Sequence, residues 1–252
     1  MRSGMIGFLG AQLEQTDAFG AEIAADAPYL WYRLGETTGT TALDSSGNSR
    51  NGLYFGTAGV SYQQGQTGLV GDADTAVRLL ADSGYIRSQS QHTFPLTNAT
   101  HMLAFKADVA APAGVMTMWN QNTDPSKVTA ARDRGFVLGS DGKLYFTFWD
   151  GSATRRAVSS AVVNDGARRL THVSIGASST SMYINGVLQE TIPYVPGFSY
   201  TAYWYVGRTA ITDTPSPTNT SAGFRGVVDE AAVFTSALSA ARIAAHAAAA
   251  GF

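Results

Sequence analysis

Residues 224–234 read FRGVVDEAAVF, and this stretch decides the fold class of the chain. A short apolar run of this length between turn residues predicts a β-strand. Because alternate residues of a strand share a face, Asp229 is expected beside Val227, Ala231 and Val233. Residues 238–251 (LSAARIAAHAAAAG) predict one terminal helix, which Ser239 can cap and Gly251 can end.

Short strand-like runs continue upstream of this segment, back to residue 29. The dipeptides Asp141-Gly142 and Asn185-Gly186 are typical of tight hairpins, since these residues tolerate positive φ. About a dozen strands separated by glycine-containing turns predict a β-sandwich or barrel. The predicted runs are 29–34, 53–55, 76–80, 85–88, 101–107, 115–119, 136–138, 144–149, 170–176, 181–184, 204–207 and 225–234.

The composition indicates one folded domain. The chain has 252 residues, of which 44% are hydrophobic and 14% charged, which argues against disorder. Its net charge of −2 and the lack of Lys/Arg runs argue against nucleic-acid binding. No apolar run approaches the roughly 20 residues that span a bilayer, so membrane insertion is not expected. With no cysteine, disulfides and thiolate metal sites are excluded.

The N-terminus predicts a separate segment. Residues 1–20 are irregular and rich in glycine, and residues 21–27 predict a short helical turn that Pro28 stops. We therefore divide the chain into an N-terminal arm, residues 1–26, and a sandwich, residues 27–252. The arm is interpreted as a mature docking segment rather than a cleaved signal peptide.

Three segments in order carry a family resemblance. They are APYLWYRLGE (27–36) with ALDSSGN (42–48), THVSI (171–175) with MYING (182–186), and 224–234 with the terminal helix. Together they resemble the laminin-G-like, concanavalin A-like jellyroll family. The resemblance implies two antiparallel, curved sheets stacked face to face. The chain departs from the family at Arg242, where a Glu commonly closes a capping box with the serine.

The resemblance leaves several functions open, because members of the family bind glycans, bind proteins or only build structure. The entry into the domain also resembles tail or other virion proteins of actinobacteriophages. We therefore expect a non-enzymatic virion protein, assembled in the host cytoplasm, whose lectin-like jellyroll binds host-surface glycans. One alternative is a purely structural capsid or tail decoration protein, docked on other virion proteins through residues 1–26. Self-association into a homo-oligomer is left open.

An unrecognised glycoside hydrolase is the remaining alternative. Glycosidases need two carboxylates roughly 5–10 Å apart. Glucanases with a similar sandwich carry a Glu-x-Asp-x-x-Glu strand, and none of the five Glu residues begins such a pattern. Asp229 and Glu230 are adjacent and are expected on opposite faces of their strand. We therefore predict that the chain is not an enzyme.

Calcium is the only cofactor that the resemblance implies. In the family, the Asp that matches Asp229 often binds a structural Ca²⁺, and the turn from Asp44 to Asn48 offers further oxygen ligands. We therefore predict a calcium site at Asp229, Asp44 and Asn48. The alternative is that Asp229 accepts backbone N–H groups or pairs with an arginine, and that Asp44 forms an Asx-turn.

Aromatic residues next to amide-rich or Pro/Gly-rich loops are the candidate glycan contacts. Sugars stack their C–H faces on exposed rings, and nearby polar side chains bind the hydroxyls. The candidates are Tyr194, Phe198 and Tyr200 in one stretch, Trp119 with Asn120 in a second, and Trp149 in a third. The alternative for each ring is packing, and along residues 203–205 alternation predicts that half of the rings lie in the core.

Overall fold

The computed structural model describes residues 17–94, 97–108, 113–119, 132–208 and 223–252. Most of these residues lie in antiparallel strands that form two sheets packed face to face. The arrangement confirms the predicted all-β jellyroll sandwich with a short C-terminal helix. Within the described residues, no helix is long and apolar enough to cross a membrane.

The elements follow one another along the chain as two helices that flank the strands. They are α1 (Ala18–Ala25), β1 (Leu30–Tyr32), β2 (Thr41–Ala42), β3 (Gly52–Phe55), β4 (Tyr62–Thr67), β5 (Thr75–Leu79), β6 (Tyr85–Ser88), β7 (His92–Phe94), β8 (Ala99–Ala107), β9 (Ala113–Trp119), β10 (Arg132–Leu138), β11 (Lys143–Trp149), β12 (Thr154–Val162), β13 (Arg169–Ile175), β14 (Thr180–Ile184), β15 (Val187–Ile192), β16 (Tyr200–Val206), β17 (Gly226–Phe234) and α2 (Ala240–Ala249).

The two sheets interleave distant parts of the sequence. The first sheet has the order β15-β14-β13-β8-β17-β5-β4, with β1 paired to β17. The second has the order β12-β11-β10-β9-β16-β6-β3-β2, with β7 paired to β16. The segment that decides the fold class, β17, therefore lies in the middle of the first sheet, between β8 and β5.

The main core lies between the two sheets, and strand alternation fills it. In β11, Leu144, Phe146 and Phe148 point into this core, whereas Trp149 ends the strand on the opposite face. Burial of one such phenylalanine stabilises the fold by about 1.5–3 kcal/mol.

A second buried layer covers the outer face of the first sheet. Phe19 and Ile23 of α1 and Ile243 of α2 pack there against Trp31 and Phe234 of the sheet. Helix α1 thus buries its apolar side chains on the sandwich itself. The described part of the predicted arm, residues 17–26, is therefore part of the same packed unit, and residues 1–16 lie outside the described residues.

Polar side chains fasten the two helices to each other. The Arg242 side chain lies 3.0 Å from an Asp26 carboxylate oxygen and 2.6 Å from one of Glu22. His246 Nε2 lies 2.8 Å from the same Asp26 carboxylate. Ser239 caps α2 as predicted, since its Oγ accepts the Arg242 N–H at 3.3 Å. Arg242 is therefore explained by its contact with α1.

Side chains protect the two edge strands on one side of the sandwich. Strand β12 ends the second sheet and β15 ends the first. The Val158 N–H donates to the Glu190 carboxylate at 2.7 Å, and the Ser160 hydroxyl donates to the Gln189 amide oxygen at 2.7 Å. These bonds occupy part of the open edge, which would otherwise be available for pairing with another chain.

Candidate functional site

Trp149 stands at the end of β11 with its ring partly in solvent. Its side chain is 41% exposed, an unusual degree for tryptophan in a folded domain. The backbone N–H of Trp149 donates to the Asp133 carboxylate at 3.0 Å, and Asp133 forms an ion pair with Arg134 at 2.9 Å. Asp133 and Arg134 are both buried, so they fix the backbone from which the ring projects.

The loop that carries Tyr194 and Phe198 is docked against the same strand end. The Gly197 N–H donates to the Trp149 carbonyl at 3.0 Å, and an Arg134 guanidinium N–H donates to the Phe198 carbonyl at 2.6 Å. A Cβ at Gly197 would lie 2.3 Å from the carbonyl carbon of Asp150. Only glycine permits this close approach of two backbones.

Tyr194 is held by its backbone and covered on one ring face. The Thr180 hydroxyl donates to the Tyr194 carbonyl at 2.8 Å, which ties the loop to β14. The Arg155 guanidinium carbon lies 3.9 Å from the Tyr194 ring centroid, a cation–π contact. The Arg155 Nε also donates to the Asp150 carboxylate at 2.5 Å. The pKa of Asp150 is lowered mainly by the hydrogen bond from the Ala153 N–H and next by the hydrogen bond from Arg155.

The structure therefore brings two separately predicted groups to one end of the sandwich. We call Trp149, Tyr194 and Phe198 the aromatic corner; Tyr194 is 39% exposed and Phe198 41%. Asp150 and Arg155 supply an acceptor and donors beside these rings. Solvent-exposed rings flanked by charged side chains can stack on a sugar ring and hydrogen-bond its hydroxyls.

The other aromatic candidates are tested only in part. Trp119 ends β9, where its backbone pairs with Tyr203 and Arg132. Tyr200 begins β16. The side chains of Trp119 and Tyr200, together with residue Asn120, lie outside the described residues, so these three contacts stay predictions.

Sequence reasoning missed a second group of rings on the outer face of the second sheet. Phe55 and Tyr85 stack with centroids 4.7 Å apart, and the Arg87 guanidinium covers the rings of Phe55 and Tyr203 at 4.6 and 4.8 Å. Arginine side chains therefore cover rings in this group, as Arg155 covers Tyr194 in the aromatic corner. Along 203–205, where alternation predicted that half of the rings are core, Trp204 lies in the main core, and Tyr205 is buried in a separate cluster with Tyr203.

Asp229, the predicted calcium ligand, is buried in a group of charged side chains. The Leu69 N–H donates to its Oδ2 at 2.8 Å. Next to it, Arg33 lies 2.7 Å from Asp72, 2.9 Å from Asp74 and 3.3 Å from Glu230. We call Asp72, Asp74, Asp229, Glu230 and Arg33 the acidic cluster. The Leu69 N–H donor agrees with one part of the alternative, in which Asp229 accepts backbone N–H groups or pairs with an arginine.

A β-bulge in β17 overturns the predicted orientation of Asp229 and Glu230. The ladder with β8 shifts between Asp229 and Ala232, and Glu230 has a φ of 52°. As a result Asp229 shares the outer layer with Val227, whereas Ala231 and Val233 point into the main core. The prediction that Asp229 lies beside Ala231 and Val233 was wrong because it assumed a regular strand.

The bulge also turns Glu230 into the outer layer, next to Asp229, and not to the opposite face. The Trp31 indole N–H donates to Glu230 Oε2 at 2.5 Å. Burial raises the pKa of Asp229 and that of Glu230 well above their usual ranges, and the Glu230 pKa is raised further by Asp229. Both side chains are fully buried, so this carboxylate pair has no access to a substrate.

Asp44 and Asn48 lie in a turn that satisfies its own polar groups. Asp44 Oδ1 accepts the Trp31 N–H at 3.0 Å and the Ser46 N–H at 3.1 Å, and its Oδ2 accepts the Arg50 N–H at 2.8 Å. The Asn48 amide donates to the Tyr29 carbonyl at 3.1 Å. The Asp44–Ser46 bond is the Asx-turn named as the alternative.

The fit of these residues to calcium is poor. Among the described residues, no group of three or more His, Asp or Glu side chains could hold a metal ion. Both carboxylate oxygens of Asp44 already accept hydrogen bonds from N–H and hydroxyl donors. In the acidic cluster, the guanidinium of Arg33 supplies the positive charge. The calcium site stays a prediction from the resemblance, and the proposed function does not depend on it.

Comparison with known families identifies the chain. The model of the laminin-G type described as the concanavalin A-like lectin/glucanases superfamily matches residues 80–244, more than half of the sequence. The chain therefore belongs to this family. No curated protein sequence matches the chain at a significant level.

Solved structures show the same fold. The ligand-binding domain of botulinum neurotoxin serotype D, in complex with N-acetylneuraminic acid, is 12% identical with a TM-score of 0.60, covering 92% of this chain and 52% of that one. The binding domain of Paraclostridial Mosquitocidal Protein 1 is 13% identical with a TM-score of 0.58, covering 87% and 51%.

A third structure matches over nearly its whole length. Domain 4 of AbnA, a GH43 extracellular arabinanase from Geobacillus stearothermophilus in complex with arabinotriose, is 18% identical with a TM-score of 0.57, covering 86% of this chain and 97% of that one. The chain spans about half the length of the two toxin chains. At these identities the likeness shows the fold alone.

Proposed function

We propose that the chain is a non-catalytic module that binds glycans through its aromatic corner. The observation that carries this proposal is that the fold places Trp149, Tyr194 and Phe198 at one end of the sandwich, each about two-fifths exposed. Exposed rings of this size cost solvation free energy, and a group of them on a soluble domain is typical of a binding surface.

The anchoring of the corner supports the proposal. Its backbone is held by the buried Asp133–Arg134 pair and by the close contact of Gly197 with Asp150. Rings on a fixed backbone lose little conformational entropy when a ligand binds, which favours affinity. Asp150 and Arg155 can then bind hydroxyl groups around the stacked sugar.

The structural neighbours agree with a binding role. The botulinum neurotoxin and Paraclostridial structures are binding domains, and the botulinum domain and AbnA domain 4 hold a sugar, N-acetylneuraminic acid and arabinotriose respectively. Asp229 and Glu230, the two adjacent carboxylates of β17, are buried. These two observations favour binding over a glycoside hydrolase.

The virion origin is a further part of the proposal. It rests on the sequence resemblance alone, as does the alternative of a decoration protein docked through residues 1–26. Residues 17–26 pack on their own domain, so a docking contact would fall to residues 1–16. A deletion of residues 1–16 separates the two roles: a glycan module keeps its sugar binding, whereas a docking module loses incorporation into particles.

A glycan array with matched variants tests the corner. We expect Trp149→Ala and Phe198→Ala each to weaken binding about tenfold or more, because each removes a stacking ring worth on the order of 1.5 kcal/mol. Leu43→Ala is the control, since Leu43 is an exposed apolar residue, at 55%, that lies outside the corner.

More than half of each side chain is packed against the domain, so the unfolding midpoint of each variant is measured alongside binding, and we expect both variants to remain folded at the assay temperature. Binding that is unchanged in Trp149→Ala and Phe198→Ala would refute the corner as the site. An array on which wild-type protein binds no glycan would refute the function.

A further inference from the structure

A pocket of about 360 Å³ opens on the outer face of the first sheet, and three cationic side chains line it. Its volume lies within the range of small-molecule sites, about 300–1,000 Å³. We call it the basic pocket and define it by Gln66, Arg78, Lys106, Arg168 and Val227.

The strand register places the cations around an apolar floor. Val227 of β17 pairs with Arg78 of β5 on one side and with Lys106 of β8 on the other. Because neighbouring strands lie about 4.8 Å apart, the Cα atoms of Arg78 and Lys106 stand roughly 10 Å from each other across Val227. Arg169 pairs with Phe105, so Arg168 stands one position further, beside Lys106.

Two of the three cations are held in place. Arg78 is paired with Asp108. Arg168 donates to the carbonyls of Leu69 and Gly251, each at 2.8 Å, and its guanidinium lies 4.4 Å from the Phe252 ring. Carbonyl partners orient Arg168 without neutralising its charge.

The side chain of Lys106 is exposed and makes no hydrogen bond or ion pair with the described residues. Like charges beside each other on one sheet face repel and destabilise the sheet. Lys106 and Arg168 form such a pair, in a chain whose net charge is −2. An anion in the pocket would relieve this repulsion and would be met by donors from three directions.

Nearby carboxylates cancel the charge of Arg78 but not those of Lys106 and Arg168. Asp165 pairs with Arg169 at 2.7 Å and Asp108 pairs with Arg78. Asp229 lies below the pocket, where burial raises its pKa and so favours its neutral form.

We propose that the basic pocket binds the carboxylate or sulfate group of an acidic sugar. The proposal rests on the proposed glycan-binding function and names a substrate class for it. The two sites are at opposite ends of the sandwich: Arg169, next to the pocket, begins β13, whereas Ile175 ends β13 and pairs with Thr180, which bonds to Tyr194. A long acidic glycan, or two glycans, can therefore engage them independently.

Titration calorimetry with matched sugars tests the pocket. The probes are a galacturonic acid tetrasaccharide, its uncharged methyl ester, and a sulfated galactan tetrasaccharide. We expect wild-type protein to bind at least one charged probe about tenfold more tightly than the ester, since one charge-assisted contact is worth about that factor. The two charged probes distinguish a carboxylate from a sulfate site.

Variants then assign the effect to the pocket. Lys106→Gln is expected to abolish the tenfold advantage of the charged probe, whereas Lys106→Arg keeps it. Lys143→Gln is the matched control, since Lys143 is a lysine on β11 of the other sheet. Because Lys106 is exposed and has no partner among the described residues, the unfolding midpoint of Lys106→Gln should match that of wild type.

The failures of the two proposals are distinguishable. Equal affinity for acid, sulfated sugar and ester, or a charged-probe affinity that Lys106→Gln leaves unchanged, overturns the pocket. If the ester still binds and Trp149→Ala abolishes that binding, the aromatic corner stands without the pocket. If Lys106→Gln weakens the binding of charged probes but Trp149→Ala weakens the binding of no sugar, the pocket stands and the corner fails. Absence of binding to all three probes overturns the pocket, and the glycan array then decides the corner by itself.

Discussion

The aromatic corner and the acidic cluster differ in how the fold treats their functional groups. At the corner, buried side chains hold the backbone while the rings of Trp149, Tyr194 and Phe198 remain in solvent. In the acidic cluster the carboxylates of Asp72, Asp229 and Glu230 are buried and have partners within the chain. The difference teaches that chemically suggestive residues mark a ligand site only where the fold leaves them accessible. Four predictions test this contrast.

The largest expected effect is on stability. Arg33→Met should reduce the free energy of unfolding by about 3–5 kcal/mol, because it leaves the Asp72 carboxylate, whose side chain is only 2% exposed, without its cation. Urea denaturation measures this loss. Arg225→Met is the control, since the exposed Arg225–Asp82 contact of 3.7 Å should be worth less than about 1 kcal/mol. Equal effects of both variants would show that the cluster does not stabilise the fold.

The next effect depends on pH. The folded-state pKa of Glu230 is raised, so its contribution to stability is complete below the unfolded pKa and is lost as pH rises towards the folded pKa. Glu230→Gln lacks this loss. Its unfolding free energy relative to wild type should therefore improve between pH 5 and pH 7, by at most about 1.4 kcal/mol per pH unit. A relative stability that is the same at both pH values would contradict a buried, protonated Glu230.

A smaller effect is expected at the corner, mainly on binding. Gly197→Ala places a Cβ 2.3 Å from the Asp150 carbonyl carbon and should undock the loop. We expect a stability loss of about 1–3 kcal/mol, as in other overpacked sites, and a loss of glycan affinity. Gly176→Ala is the matched control, because its Cβ would have ordinary contacts, the nearest 3.6 Å away. Wild-type affinity in Gly197→Ala would show that the loop is not part of the site.

The smallest expected effect is that of a chelator. Because Arg33 occupies the place of a cation in the acidic cluster, EDTA should change neither the unfolding midpoint nor glycan binding. Differential scanning calorimetry with and without EDTA, followed by added CaCl₂, measures this. A midpoint that rises on adding calcium would restore the calcium site predicted from the resemblance.

The strands that the sequence predicted and those that it missed divide by position in the sheets. Predicted strands such as β8 and β17 are central, and their residues are buried on both faces. The four strands at the sheet edges, β2, β4, β12 and β15, were all missed. Strand β12 reads TRRAVSSAV and β15 reads VLQETI, and both are largely solvent-accessible. An edge strand is held mainly by the backbone of its neighbour, which leaves little pattern in its own side chains.

The sequence predicted which rings could contact a sugar, but not that these rings lie together at one end of the sandwich. Exposed rings beside Pro and Gly suggested Tyr194, Phe198 and Trp149 as separate sugar contacts. Their assembly depends on Gly197 meeting Asp150 and on Arg134 reaching the Phe198 carbonyl, across 64 residues of sequence. Pairings over such separations are set by the packing of the sheets, which no local pattern encodes.

The sequence alone determined the fold class, the central strands, the Ser239-capped terminal helix and the tight turn at Asn185-Gly186, whose φ values are 51° and 78°. These features follow from local preferences: apolar alternation, capping and tolerance of positive φ. Only the tertiary structure decided that Glu230 takes a left-handed conformation, that Arg33 neutralises buried carboxylates, and that three distant rings share one corner. Those outcomes depend on which surfaces become buried together, because burial sets the cost of a charge and the exposure of a ring.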